Sequence, residues 1–201
     1  MAEPDAEVMA QKAVDRDAGL WRGLLNGAPE AAQELCTRFG PKLLAFAAAR
    51  FPQDRELAED VMVQSLATAA RHIKWYNPRK SSFATWLYGV ARRQIHDELR
   101  RQRRRKSVPT GAQTSLEEAA GVADGRDLAE VVAGGLDARR SVAGLARVLS
   151  EVELEVLVLS SIDELSAREI GRVMGRSERA VHSLLHRARR KARERLTHDE
   201  Q

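Results

Sequence analysis

Apolar residues recur every three or four positions through residues 19–106 and again from Ala138 to Leu196, and nowhere do they alternate with the two-residue period of a strand. This pattern confines the chain to packed helices. The break between the two stretches divides 201 residues into two small helical domains joined by a flexible linker, an all-α fold. An aromatic content of 4% agrees, because strands favour aromatic and β-branched residues.

The first stretch, 19–106, reads as four helices. Leu20, Trp21, Leu24 and Leu25 mark one, stopped by Asn26-Gly27. A second starts near Pro29, which suits a first helical turn, and runs through Leu35, Phe39, Leu43, Leu44 and Phe46. Pro41 inside it predicts a kink. After the turn Phe51-Pro52-Gln53-Asp54, a third helix carries Leu57, Val61, Leu66 and Ile73. Residues 74–81 form a loop punctuated by Pro78. Ser82 then precedes Phe83, Trp86, Leu87, Val90, Ala91, Ile95 and Leu99, a long amphipathic helix with a very basic end near Arg105.

Residues 107–138 hold scattered acids and most of the later glycines, which predicts a flexible linker with one short helix near 126–133. Residues 1–18 are expected to be a flexible N-terminus, and 197–201 a tail. In the second domain, 139–196, Ser150 with Glu153 and Ser166 with Glu169 match the capping box, in which Ser and Glu satisfy each other's free backbone N–H groups. Ser177 is placed to cap the last helix.

Charge is distributed in blocks. Residues 71–106 hold 12 Lys/Arg against 2 Asp/Glu, and 168–196 hold 10 against 3, whereas 107–167 hold 4 against 11. Two basic blocks separated by an acidic connector suit two contacts with one polyanion, whose counterions they release.

The sharpest local pattern lies in the last 50 residues. A short helix with Ile170, Val173 and Met174 inward is followed by Gly175-Arg176-Ser177 and then a helix with Val181, Leu184, Leu185 and Ala188 inward. That leaves Arg179, His182, Ser183, His186, Arg187 and Arg190 outward, the layout of a helix-turn-helix whose second helix enters the major groove. Ser177, Arg179, Ala180, His182 and Ser183 lie at the end that meets base edges; Arg187 and Arg190, further on, suit phosphates. A plain helical hairpin with a solvated basic face is the alternative.

The second pattern is aromatic. Trp75, Tyr76, Phe83, Trp86 and Tyr88 interleave with Lys74, Arg79, Lys80, Arg92 and Arg93. Rings beside cations suit single-stranded DNA, whose unstacked bases lie on the rings. Phe83, Trp86 and Leu87 have core spacing, so Trp75 and Tyr76 in the loop, with Asn77 next to them, are the candidates for base contact. Ser82 belongs to the same segment.

Other chemistry is not expected. His182 and His186 are spaced i, i+4 but lack a third ligand nearby, so no metal is assigned. Adjacent Glu59 and Asp60 do not face each other on a helix and have no nucleophile nearby. No phosphate-cradling glycine loop occurs, and no cofactor is implied. Cys36, among Leu35 and Phe39, is expected to be a small core residue. One cysteine forbids an internal disulfide, and no signal peptide or membrane-spanning run is visible, which points to the cytoplasm without membrane insertion.

These residues resemble a known family. Ala58-Glu59-Asp60-Val61, then Tyr76-Asn77-Pro78, Ser82-Phe83 and Trp86-Leu87-Tyr88, then Leu165-Ser166, Glu169-Ile170, Gly175, Val181 and His186-Arg187-Ala188-Arg189 follow, in order and spacing, the motifs of extracytoplasmic-function (group four) sigma factors of the bacterial sigma-70-like family. The resemblance covers about 19–106 and 139–196.

It implies an initiation subunit without catalytic activity, whose partners are core RNA polymerase, promoter DNA and an anti-sigma factor or similar regulatory protein. Glu59, Asp60, Val61 and Gln64 would bind core polymerase. Trp75, Tyr76, Asn77, Arg79, Lys80, Ser82, Arg92 and Arg93 would read and melt the −10 element. Ser177, Arg179, Ala180, His182, Ser183, His186, Arg187 and Arg190 would read the −35 element. The chain departs from the family at Val63-Gln64, where Gln-Glu is usual, at Ala70 in place of Trp, and at Arg79-Lys80-Ser81 in place of Glu-Arg-Gly. In the last helix Arg179, His182 and Leu184 replace the common Gly, Lys and Arg. A conventional helix-turn-helix regulator with a helical sensing or dimerisation domain is the rival reading.

Overall fold

The structure, a computed structural model, describes residues 17–107, 145, 147–162 and 165–199. The described residues are helical with no strand. In chain order they form α1 (17–25), α2 (Pro29–Ala48), α3 (Arg55–Arg71), a 3-10 turn (Ile73–Trp75), α4 (Phe83–Ser107), α5 (Glu151–Ile162), α6 (Ala167–Met174) and α7 (Glu178–Asp199). The expected linker and its short helix near 126–133 lie outside the described residues, apart from Ser107, which ends α4.

Two boundaries move. Residues 17–18, read as part of a flexible end, are already helical, and Asp17 is tied to Arg38 of α2 by a 2.7 Å ion pair. Helix α7 runs on through Asp199, into the expected tail.

Helices α2, α3 and α4 pack against one another around Leu35, Phe39, Leu43, Phe46, Val61, Leu66, Phe83, Leu87 and Ile95, all buried. Rings make the central contacts. Phe39 and Phe83 lie 5.4 Å apart, and Phe46 meets Tyr88 edge-on at 5.5 Å. Helix α2 begins with Pro29 in its first turn and stays helical through Pro41. Asp54 caps α3 by accepting the Leu57 amide at 2.9 Å. Ser82 caps α4 by accepting the Thr85 amide at 3.3 Å.

Cys36 is exposed, which corrects its expected place in the core. The buried face of α2 is set by Ala31, Leu35, Phe39, Leu43 and Phe46. One residue beyond Leu35 is about 100° further around the helix, and that turns Cys36 to solvent.

In the second unit α5 and α6 both pack on α7. Both capping boxes form. Ser166 Oγ accepts the Glu169 amide while the Glu169 carboxylate accepts the Ser166 amide at 3.1 Å, and Ser150 and Glu153 do the same. The turn between α6 and α7 depends on two glycines. Gly175 has φ +65°, a left-handed conformation that suits a residue without Cβ. A Cβ on Gly171 would stand 2.6 Å from the Arg176 carbonyl oxygen, so the chain can fold back only over a bare Cα.

Helix α5 is buried from Glu153 through Leu159 without a break, so it has no solvent face over that span. Helix α7 covers one side of it. The first unit covers another, because α2 packs on α5 and α4 packs on α6.

Glu153 joins α5 to α7. Its carboxylate, 7% exposed, takes two hydrogen bonds from Lys191 at 2.8 and 3.1 Å and lies 3.9 Å from Arg187. The Lys191 hydrogen bond, helped by the Ser150 amide, pulls its pKa from 4.5 down to about 2 against the opposing effect of burial. A carboxylate with a depressed native pKa contributes stability that is complete above its unfolded pKa and is lost as pH falls through the folded one. The α5–α7 contact should therefore weaken as pH falls from 4.5 towards 2, and thermal unfolding of Glu153→Gln followed by circular dichroism should show a flatter pH dependence over that window.

Candidate nucleic-acid interface

Helix α7 divides into two faces. Val181, Leu184, Leu185, Ala188 and Ala192 are buried against α5 and α6. Arg179, His182, Ser183, His186, Arg187 and Arg190 are exposed, Ala180 is half-buried, and Ser177 stands exposed at the start. The Ser177 hydroxyl accepts the Ala180 amide at 3.3 Å, capping the helix at the end expected to meet bases. His182 lies 3.9 Å from Glu178, and Arg190 lies 3.7 Å from Glu194. Exposed contacts of this kind are worth little. A short helix, a tight glycine turn and a capped helix with an outward basic face form a helix-turn-helix.

The loop after α3 sorts its aromatic residues sharply. Trp75 is 68% exposed and stacks on His72 with ring centroids 4.3 Å apart and planes 17° from parallel. Arg71, Lys74, Arg79 and Lys80 are all exposed in the same stretch of chain. A flat, supported indole with cations close in sequence offers a base a surface to stack on. Its support, His72, belongs to none of the sequence motifs. The only sequence signal is that His72 and Trp75 are three residues apart, the spacing that brings side chains together over one turn of a helix.

Tyr76 does not share that exposure, and the expectation of base stacking on its ring is corrected. It is 7% exposed, enclosed by Trp21 of α1 edge-on at 5.9 Å and by Phe83 and Trp86 at 5.4 and 5.5 Å. Its hydroxyl donates to the Ser81 carbonyl at 3.2 Å. Burial, reinforced by the charge of Asp17, pushes its pKa up to about 12. The ring anchors the loop from below. Asn77 starts a tight turn. Its carbonyl accepts the Lys80 amide at 3.0 Å and its side-chain oxygen accepts the Arg79 amide at 2.9 Å, with Pro78 at the second position. Asn77 is exposed but already shapes the backbone.

Three further residues of this segment have partners within the chain. Ser82 donates to Glu169 at 2.7 Å, Arg92 pairs with Glu155 at 2.6 Å, and Arg93, exposed, donates to the Gly89 carbonyl at 3.2 Å. Glu155 and Glu169 both belong to the second unit. Thr85, which no motif singled out, also donates to Glu169, at 3.2 Å.

On α3, Asp60 and Gln64 are exposed, and Glu59 is half-exposed and pairs with Arg55 one turn earlier. Val61 is 3% exposed and packs α3 onto the core, so it lies beneath the surface that the other three share, a correction to its assignment as a contact residue. Val63, 56% exposed, stands on the outside instead.

A helix-turn-helix and a separate exposed Trp-His stack with flanking cations are carried on one all-helical frame. Comparison with known proteins supplies the family. The model of Sigma-70 region 2 matches residues 35–105, and that of Sigma-70 region 4 matches residues 139–191, together more than half of the chain. The chain is 28% identical over 171 residues to the RNA polymerase sigma factor CarQ of Myxococcus xanthus, covering 85% of this chain and 92% of that one. It is 29% identical over 131 residues to the ECF RNA polymerase sigma factor BldN of Streptomyces coelicolor, covering 65% of this chain and 47% of BldN.

The fold is similar to that of CnrH in complex with the cytosolic domain of CnrY, with a TM-score of 0.62 at 24% identity over 91% of this chain and 98% of that one. It is also similar to the sigma factor RpoE of Bartonella quintana in complex with the anti-sigma factor NepR, with a TM-score of 0.64 at 21% identity over 82% of this chain and 96% of that one. The chain belongs to the extracytoplasmic-function sigma factors, which bind RNA polymerase for promoter recognition. The region 2 match sets aside the rival reading of a conventional helix-turn-helix regulator. No helix among the described residues is long and apolar enough to cross a membrane.

Proposed function

We propose that this chain brings core RNA polymerase to promoters by reading a −35 element with α7 and a −10 element with the segment around Trp75, and that it promotes strand opening there. The observation that carries the reading is the two-faced α7, which keeps a buried apolar stripe and turns a continuous basic row to solvent. In this docking mode Arg179, His182 and Ser183 meet base edges, and His186, Arg187 and Arg190 follow the phosphates. Trp75 on His72 receives a base of the opened non-template strand, while Arg79, Lys80 and Arg93 hold its backbone. Tyr76 and Asn77 shape the loop that presents Trp75. Glu59, Asp60 and Gln64 offer an acidic and polar surface to core polymerase. The protein works in the cytoplasm, with no chemical step or cofactor of its own. The complexes of CnrH with CnrY and of RpoE with NepR support an anti-sigma partner of comparable kind here.

The test separates base reading from phosphate contact. With holoenzyme and a library of −35 variants, Arg179→Ala should lose about 1–3 kcal/mol on the best site and relax preference at one base pair. Arg190→Ala should weaken all sites alike and reduce the salt dependence by about one counterion. If Arg190→Ala alters base preference and Arg179→Ala leaves it intact, α7 docks by its other end.

A further inference from the structure

Two cations of α7 compete for one carboxylate. Arg187 and Lys191 are four residues apart, so their side chains are neighbours on one face of the helix. Both reach toward Glu153 of α5, which is buried, and they reach it unequally. Lys191 Nζ donates to both oxygens, at 2.8 Å to Oε2 and 3.1 Å to Oε1. Arg187 Nε stops 3.9 Å from Oε1, beyond hydrogen-bond distance.

The carboxylate has little more to offer. Oε2 also accepts the Ser150 amide at 2.9 Å and the Ser150 hydroxyl at 3.0 Å, so its lone pairs are fully used. Oε1 keeps room for one further donor. Exposure follows the same division: the Lys191 side chain is 37% exposed and that of Arg187 is 55% exposed. The charges of Lys191 and Glu153 cancel at hydrogen-bond distance, whereas Arg187 keeps its charge at the surface.

We propose that Glu153 is a positioning residue for the phosphate contacts of α7: it withdraws Lys191 from the basic row and so leaves Arg187 free to meet DNA. This rests on the reading of α7 as the −35 helix. The pairing sets how many cations the helix presents to a phosphate backbone. Without the carboxylate charge, Lys191 turns outward and the row gains a cation one turn beyond Arg187. Without Lys191, Glu153 draws in Arg187, already 3.9 Å away, and the row loses one. Lys191 is therefore a cation of the DNA-facing helix that does not itself touch DNA.

The test measures how steeply promoter affinity falls with salt for polymerase holoenzyme carrying each variant. The contribution of core polymerase is common to all of them and cancels in the differences. Glu153→Gln keeps the size of the side chain and gives up its charge. It should steepen the dependence by about one counterion, an extra loss of about fourfold in affinity between about 50 and 200 mM salt. Lys191→Met should make the dependence shallower by about one. The double variant should return to the parent slope, because the two charges leave together. Thermal unfolding of each variant is followed alongside. If the pair is merely structural, both single variants melt earlier and bind DNA more weakly, with no opposite change of slope, and the proposal is overturned. A double variant as shallow as Lys191→Met means that Lys191 contacts DNA itself, which overturns it as well. Arg187→Ala and Arg190→Ala separate the two levels of the argument. If both leave the slope unchanged, α7 does not lie on DNA, and the −35 reading falls together with the positioning role. If both make it shallower while Glu153→Gln changes nothing, the positioning role alone falls.

Discussion

Replacing Trp75 with Ala should reduce initiation on duplex promoter DNA by roughly 5–150-fold, the equivalent of about 1–3 kcal/mol of base stacking. The defect should largely disappear on a template whose −10 region is already unpaired. The ring is 68% exposed and rests on His72, so its removal deletes a surface and leaves the core untouched. Trp75→Phe should recover part of the activity, because a smaller ring still offers a face. The neighbouring residue behaves oppositely. Tyr76→Ala empties a space between Trp21, Phe83 and Trp86 and should cost about 3–5 kcal/mol of stability, with equal loss on duplex and pre-opened templates. Equal defects for Trp75→Ala on both templates would make its ring structural as well.

The contrast between these two rings shows where the sequence stops being informative. Lys-Trp-Tyr-Asn names an aromatic loop, but which ring points inward depends on α1, whose Trp21 closes over Tyr76 from more than 50 residues away. Helical spacing was a better guide than motif likeness. It placed Val61 on the buried stripe of α3, while likeness to a polymerase-binding segment placed it on the surface, and the stripe prevailed. In the second unit every apolar position read as inward on α6 and α7 is buried, because a strongly two-faced helix has one way to lie on a core. Both capping boxes were legible for the same local reason. The second task of each capping glutamate was not, since Lys191 and Ser82 lie far from their partners in sequence. Nothing in the sequence of α5 identifies Arg50 and Arg92 as the partners of Glu151 and Glu155.

The other large effect concerns polymerase. Glu59→Lys together with Asp60→Lys should abolish co-purification with core polymerase, since like charges brought together at an interface cost several kcal/mol. Within the protein the double change costs only the Arg55–Glu59 pair, an exposed i, i+4 contact worth about 0.3–0.5 kcal/mol, so the fold should survive. Undiminished co-purification would move the contact away from this face of α3.

Run-off transcription with purified core polymerase tests the central claim most directly. Core enzyme with this chain should start RNA at one defined position on a promoter, core enzyme alone should give no defined start, and core enzyme with the Glu59→Lys/Asp60→Lys variant should behave like core alone. Defined initiation that appears only when a second sigma factor is added, with this chain merely altering its level, would contradict the account.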